Sequence, residues 1–344
     1  IFLDGKLIAS FNGTHETHKV YQKVHLEKDR PAALKIEYSH RARMARMHLL
    51  WKKPAADSLE RAIKAAREAE ATILFLGLSP RLEGEEMNVP VPGFKGGDRL
   101  TLDLPANQEK LLEEVAKAAA PKPVVLVLLN GSPLAVNRAV ELVPAIVEAW
   151  YPGQAAGAAI ADVLFGDYNP AGRLPVTFYK SATDLPDFSD YRMAGRTYRY
   201  FKKEPLFPFG YGLSYTNFSY SQLSAPKSLK AGDELTISVE VKNTGKRDGE
   251  EVVEVYLSRP DSTSPVNPLR WLVGFRRLFL RAGEKQKVTL TIRPQELASY
   301  NAEGNRLIET GKLIVSVGGQ QPGFSGRLSA PTTSVLTTET KIKH

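Results

Sequence analysis

Three regimes of hydrophobic patterning follow one another along the chain. Up to about Pro54, apolar and polar residues alternate at period two. Val20-Tyr21-Gln22-Lys23-Val24-His25-Leu26 and Ala33-Leu34-Lys35-Ile36-Glu37-Tyr38 do so, and Met47 to Trp51 adds a short run. That alternation predicts half-buried strands. Phe2 to Ile8 predicts a hairpin turning at Asp4-Gly5, a pair that favours tight two-residue turns. From about Ala55 the period changes. Ser58–Ala71 and Asn107–Ala119 gather alanine and leucine on one face and charges on the other, the pattern of surface helices. Thr72–Gly77, Val124–Leu129 and Ala145–Trp150 are apolar on both faces, and Ala155–Phe165 predicts a further helix. Such strands alternating with helices predict a largely parallel sheet. Past about Thr216 short strands return, over Leu235–Lys242, Glu251–Ser258, Lys285–Ile292 and Lys312–Gly318. Turn signals at Asn243-Thr244-Gly245 and Arg281–Glu284 separate them, which predicts a β-sandwich. The stretch 331–344, rich in Thr and Lys, predicts a poorly ordered tail.

Composition narrows the function classes. At 344 residues the chain exceeds one ordinary core, so several domains are expected. The net charge of +8 is scattered rather than striped, which predicts a solvated surface and no nucleic-acid partner. The longest apolar runs are strand-length, so no membrane helix is predicted. The absence of cysteine excludes disulfides and thiolate chemistry. His15, His18, His25, His40 and His48 lack metal-motif spacing, so no metal is assigned. No Gly-x-Gly-x-x-Gly follows a strand, so no nucleotide cofactor is expected. Gly-x-Ser-x-Gly is missing and the α/β block holds no histidine, which argues against a serine hydrolase. The chain opens at Ile1 within a predicted strand, which reads as a fragment or processed product.

Three motifs stand out. The first runs Gly77-Leu78-Ser79-Pro80-Arg81-Leu82-Glu83-Gly84-Glu85-Glu86-Met87, then Gly96-Gly97-Asp98-Arg99, then Leu102-Asp103-Leu104-Pro105. The second joins Ala149–Gly157 (AWYPGQAAG) to Asp162–Pro175 (DVLFGDYNPAGRLP). The third joins Gly195–Phe201 (GRTYRYF) to Pro205–Tyr215 (PLFPFGYGLSY). Together and in this order they resemble glycoside hydrolase family 3, the β-glucosidases and β-xylosidases, over nearly the whole chain. The resemblance implies a multidomain α/β plus all-β fold: an α/β/α sandwich domain flanked by two β-sandwich domains. Residues 1–54 would end a protective-antigen-like insert, 55–215 would form the α/β domain, 216–330 a fibronectin type III-like domain, and 331–344 a tail. It implies secretion or a periplasmic location, and the possibility of a homodimer is left open. It also implies an upstream (β/α)8 barrel carrying an aspartate nucleophile, and nothing in this chain matches that barrel.

Retaining cleavage of a glycoside needs two carboxyl groups roughly 5–5.5 Å apart, one a nucleophile and one an acid that then acts as a base. Crowding and partial burial help a carboxyl hold its proton near neutral pH. Glu83, Glu85 and Glu86 crowd one loop rich in Gly and Pro. The resemblance implies Glu85 as the acid/base, with Glu83 second. Asp98 and Arg99 are expected to pair and hold the loop's return. The substrate would be a β-linked oligosaccharide or aryl glycoside. A non-catalytic carbohydrate-binding or cell-surface protein is the alternative, though such a module has no need of three carboxylates beside a Gly-Asp-Arg.

Overall fold

The structure is a computed structural model that describes residues 1–12, 20–39, 47–51, 57–84, 86–87, 89–262, 264, 266–301 and 303–344. It falls into two compact units, 1–56 and 57–344.

In the first unit, β1 (Phe2–Leu3) and β2 (Lys6–Leu7) form the hairpin predicted at Asp4-Gly5, and β3 (Leu34–Lys35) pairs with β1. Asp4 and Gly5 take φ of 48° and 77°, the left-handed pair a tight hairpin requires. The Asp4 carboxylate accepts the Ala33 N–H at 2.7 Å and so ties the third strand to the turn. The remaining strand predictions fail here: Val20–Leu26 and Met47–Trp51 form none, and Ala33–Tyr38 shrinks to two residues. Tyr21 and Trp51 are 83% and 86% exposed. Alternation makes a strand only when a partner and a core take up its apolar face, and among the described residues Val20–Leu26 and Met47–Trp51 have no strand partner and stay largely exposed. His15, His18, His40 and the expected boundary at Lys53-Pro54 lie outside the described residues.

The second unit opens with α1 (Ser58–Glu68) and β4 (Thr72–Gly77). A small hairpin follows, β5 (Phe94–Lys95) and β6 (Asp98–Arg99). Next come α2 (Ala106–Ala119), β7 (Val124–Leu129), α3 (Asn137–Leu142), β8 (Ala145–Glu148) and α4 (Ala156–Phe165). β4, β7 and β8 form a parallel sheet in that order, with Thr72 opposite Val124 and Val125 opposite Ala145. Leu74, Leu76, Leu126 and Leu128 meet Ala66, Leu112, Val115 and Ala139 in one core, so α1, α2 and α3 share a face of the sheet. On the opposite face Val127 is buried, but Ile73 and Phe75 are 41% and 52% exposed. The helical cover expected on both faces is thus incomplete, and α4 (AGAAIADVLF) buries no residue despite its apolar sequence.

The short helix α5 (Thr197–Tyr200) leads to the β-rich half. Its strands are β9 (Phe218–Ser224), β10 (Ser228–Lys230), β11 (Leu235–Asn243), β12 (Gly249–Ser258), β13 (Trp271–Leu280), β14 (Lys285–Ile292), β15 (Ser299–Tyr300), β16 (Arg306–Leu307), β17 (Gly311–Gly318) and β18 (Val335–Lys343). A five-stranded sheet, β10-β18-β17-β12-β13, and a three-stranded one, β14-β11-β9, enclose a core that includes Leu235, Ile237, Val255, Leu257, Leu280, Val315 and Val317. The tail expected over 331–344 is corrected: β18 pairs with β17 from Val335 to Ile342 and also with β10. Thr340 and Ile342 point inward while Thr337 and Lys341 do not, so the Thr/Lys-rich segment is a half-buried strand.

Both halves belong to one compact unit. Arg173 donates to Glu251 at 2.6 Å, both buried, and to the Gly319 carbonyl. Tyr198 stacks on Phe209 with centroids 4.2 Å apart and meets Tyr256 edge-on. Asn169 accepts from Tyr215 N–H and donates to the Asp248 carbonyl.

Candidate active site

Parallel pairing brings the carboxyl ends of β4, β7 and β8 to one edge: Gly77 lies opposite Leu129, and Leu128 opposite Glu148. Loops leaving that edge are where open α/β sheets place ligands. The acidic loop leaves from Gly77, held there by Gln108. The Gln108 carboxamide accepts the Gly77 N–H at 2.7 Å and donates to its carbonyl at 2.8 Å. Gly77 has φ of 137°, and a Cβ there would lie 2.0 Å from the Leu129 carbonyl oxygen. Gly77→Ala should therefore cost about 3 kcal/mol of strain, read as a lowered urea midpoint of unfolding; an unchanged midpoint would show that the root of the loop is not tightly fixed.

The loop returns through the β5–β6 hairpin, turning at Gly96-Gly97 with φ of 61° and 88°. Gly97 presses on Gly84, where a Cβ would lie 1.6 Å from the Gly84 carbonyl oxygen. The Met87 N–H donates to the Gly96 carbonyl at 2.9 Å. The loop is thereby folded back on itself.

Glu83 lies at the centre of the described part of this site. Its carboxylate accepts the Gly131 N–H at 3.1 Å, the Ser132 hydroxyl and the Tyr151 hydroxyl. Burial and the adjacent Glu83 push the Tyr151 hydroxyl up, which keeps it a donor. A group accepting three hydrogen bonds is committed as an acceptor. Glu86 is exposed, with φ of 50°. Glu85 lies outside the described residues.

Arg99 reaches from β6 to the loop that follows β7 and not to Asp98. Its Nη1 donates to the Ser132 hydroxyl at 2.8 Å and to the Pro133 carbonyl at 2.7 Å. Asp98 is exposed, and no ion pair joins the two among the described residues. Neighbours on a strand point to opposite faces, so Asp98 and Arg99 cannot meet. Burial pulls the Arg99 guanidinium below its usual range, against Glu83 and Asp103.

Two site residues carry no motif. Asn130 is fully buried just after β7, and Glu148 ends β8. Asn130 donates to the Ser132 carbonyl at 3.1 Å and to Glu148 at 3.3 Å. Glu148 also accepts the Trp150 N–H at 3.0 Å. Burial pushes the Glu148 carboxyl up to about 7, against the pull of those two donors. Trp150 sits edge-on to Phe178, centroids 6.0 Å apart, in the α/β core. The signal that could have found Asn130 and Glu148 is a polar residue at the carboxyl end of a buried parallel strand.

Comparison with known proteins identifies the family. Residues 8–215 match the glycosyl hydrolase family 3 C-terminal domain, and residues 251–321 the fibronectin type III-like domain. A xylan 1,4-beta-xylosidase of Xylanibacter ruminicola is 46% identical over 231 residues, 67% of this chain and 26% of that protein. A periplasmic beta-glucosidase of Salmonella typhimurium is 38% identical over 275 residues, 76% of this chain and 35% of that protein. A crystal structure of beta-glucosidase from Kluyveromyces marxianus in complex with glucose superposes with a TM-score of 0.70 at 30% identity, over 86% of this chain and 34% of that one. The chain spans about a quarter to a third of the length of these relatives. With one family model covering well over half of its residues, the chain belongs to glycosyl hydrolase family 3, as the C-terminal domain followed by a fibronectin type III-like domain.

Proposed function

We propose that this chain is the acid/base-bearing part of a retaining β-glycosidase that hydrolyses terminal β-glucosides or β-xylosides. The observation that carries the reading is the acidic loop, rooted at the carboxyl end of β4 and folded back by Arg99 and the Gly96-Gly97 turn. Within it Glu83 is occupied by three donors, and the resemblance to the family singles out Glu85, two residues on, as the proton donor. The Glu85 carboxylic acid would protonate the glycosidic oxygen as the leaving group departs. The resulting carboxylate would then take a proton from the water that attacks the glycosyl-enzyme intermediate.

The nucleophile must stand on the opposite face of the sugar, where a single loop cannot also reach. We assign it to an aspartate on a (β/α)8 barrel of the same enzyme, so the barrel is this chain's partner. The exposed Ile73 and Phe75 and the unburied apolar α4 support a neighbour on that side of the sheet. The same apolar surface could support a homodimer. Residues 1–54 would close a protective-antigen-like insert. A periplasmic or secreted location follows from the Salmonella relative's name. Among the described residues no helix is long and apolar enough to cross a membrane.

The chain purified free of other polypeptides should show no turnover of nitrophenyl β-glucoside or β-xyloside, and adding the barrel half should restore it. Robust turnover by the chain alone would place both carboxyl groups within these residues and overturn the division of labour.

A further inference from the structure

Two carboxylates that share no contact are joined by two separate routes. Glu148 accepts the Trp150 N–H at 3.0 Å, and the next residue, Tyr151, donates its hydroxyl to Glu83. Glu148 also accepts from Asn130 at 3.3 Å, and the residues that follow, Gly131 and Ser132, donate to Glu83 through a backbone N–H and a hydroxyl. The ring closes across three loops, those leaving β4, β7 and β8.

Each route depends on Glu148. Trp150 adopts φ of 54°, a left-handed conformation unfavourable for a bulky residue, so its N–H must be held from outside. Asn130 uses both protons of its carboxamide, one on the Ser132 carbonyl and one on Glu148. Its Oδ1 is buried and has no partner among the described residues. An orphaned acceptor is a cost, so the acceptor that fixes the amide's orientation is Glu148. Turning the amide over would strip the Ser132 carbonyl of its donor.

We propose that Glu148 is a positioning residue: acting through this ring, it sets the direction in which Glu83 holds the acidic loop, and hence where the acid/base carboxyl two residues later meets the leaving-group oxygen. The inference rests on the glycosidase reading above. Misplacing a catalytic group by about 1 Å can cost on the order of 100-fold in rate. The cost falls on proton transfer, so it appears with poor leaving groups and is small where little protonation is needed.

The test uses the full enzyme, barrel included, and two substrates: a disaccharide and a dinitrophenyl glycoside. Glu148→Gln keeps the shape of the side chain but presents an NH2 to one of its two donors, Asn130 or the Trp150 N–H, and so breaks one of the two routes. It should lower kcat for the disaccharide about 10- to 100-fold with KM little changed, while the dinitrophenyl glycoside stays within about threefold. Tyr151→Phe cuts the route through Tyr151 by one oxygen atom, with little threat to folding, and should give the same substrate-dependent pattern more weakly. A fall shared equally by both substrates, or no fall in either variant, overturns the inference. Glu85→Ala serves as the reference for the leaving-group pattern. If the unaltered enzyme cleaves neither substrate, or Glu85→Ala shows no such pattern, the glycosidase reading itself fails and takes the inference with it.

Discussion

Replacing Glu85 by alanine in the complete enzyme should slow disaccharide hydrolysis by about 100- to 10,000-fold, the range over which a positioned acid contributes. Aryl glycosides with good leaving groups need little protonation and should lose far less in the glycosylation step. Azide should restore part of the rate, because a small anion can enter the space the carboxyl vacates and attack the glycosyl-enzyme without a general base. Glu83→Ala makes a different expectation. Its carboxylate accepts from Gly131, Ser132 and Tyr151 and so holds the loop that carries the acid/base; its loss should also fall hardest on the disaccharide, but without rescue by azide. Near-full activity of Glu85→Ala on a disaccharide, with Glu83→Ala defective on it and rescued by azide, would exchange the two roles.

Arg173→Ala should be the most destabilising single change named here. Arg173 and Glu251 are 5% and 0% exposed and lie 2.6 Å apart. Tyr220 and Thr333 also donate to the Glu251 carboxylate, at 2.8 and 2.5 Å. Removing the guanidinium leaves a buried carboxylate without its counter-charge, a loss of about 3–5 kcal/mol. Urea denaturation of the chain should read it directly. Lys180→Ala, which breaks a far more exposed pair with Glu204, should cost no more than about 1 kcal/mol. The sign of the pH dependence is a second check. Burial pushes the Glu251 carboxyl up, and Arg173 is the strongest influence pulling it down. Without Arg173 the folded protein binds that proton more tightly than the unfolded chain does, so the defect should be worst at high pH and ease as pH falls. Glu254 and Glu148, both raised to about 7, act in the same direction in the unaltered chain. Their contribution is present at low pH and is lost as pH rises through 7. An Arg173→Ala defect independent of pH would show that Glu251 is not left charged.

How far the sequence reaches depends on how local the cause is. Thr72–Gly77 and Val124–Leu129 match their predicted bounds because an apolar run flanked by turn or helix signals marks both ends of a strand, and Lys285–Ile292 matches because a turn signal precedes its alternation of apolar and polar residues. β13 was missed: Trp271–Leu280 carries paired arginines on its exposed side and no clean alternation. Thr and Lys at the outer positions of β18 hide its strand character in the sequence, and only its partners β17 and β10 show that Thr340 and Ile342 face a core. The first block failed in the opposite sense, with a strand pattern present but no core to receive it among the described residues. At the site, the acidic loop was legible from a contiguous motif. Asn130, Ser132, Glu148 and Tyr151 were not grouped with it, because they lie on two other loops and only the register of three parallel strands brings them together.

The pairing of β18 with β10 has a consequence for how the sandwich forms. Leu229 and Ile342 come from opposite ends of the domain's sequence, yet they are direct neighbours in a parallel ladder. Such a contact closes a very long loop before it returns any energy, which raises contact order and slows folding. Until it forms, the outer edge of β18 is unpaired, a template for other chains. The folding rate of this half, and its tendency to aggregate on the way, should therefore be governed by the arrival of one Thr/Lys-rich strand. The charges along the outer side of β18 would then serve the intermediate as much as the native state, by discouraging that strand from pairing with a stranger.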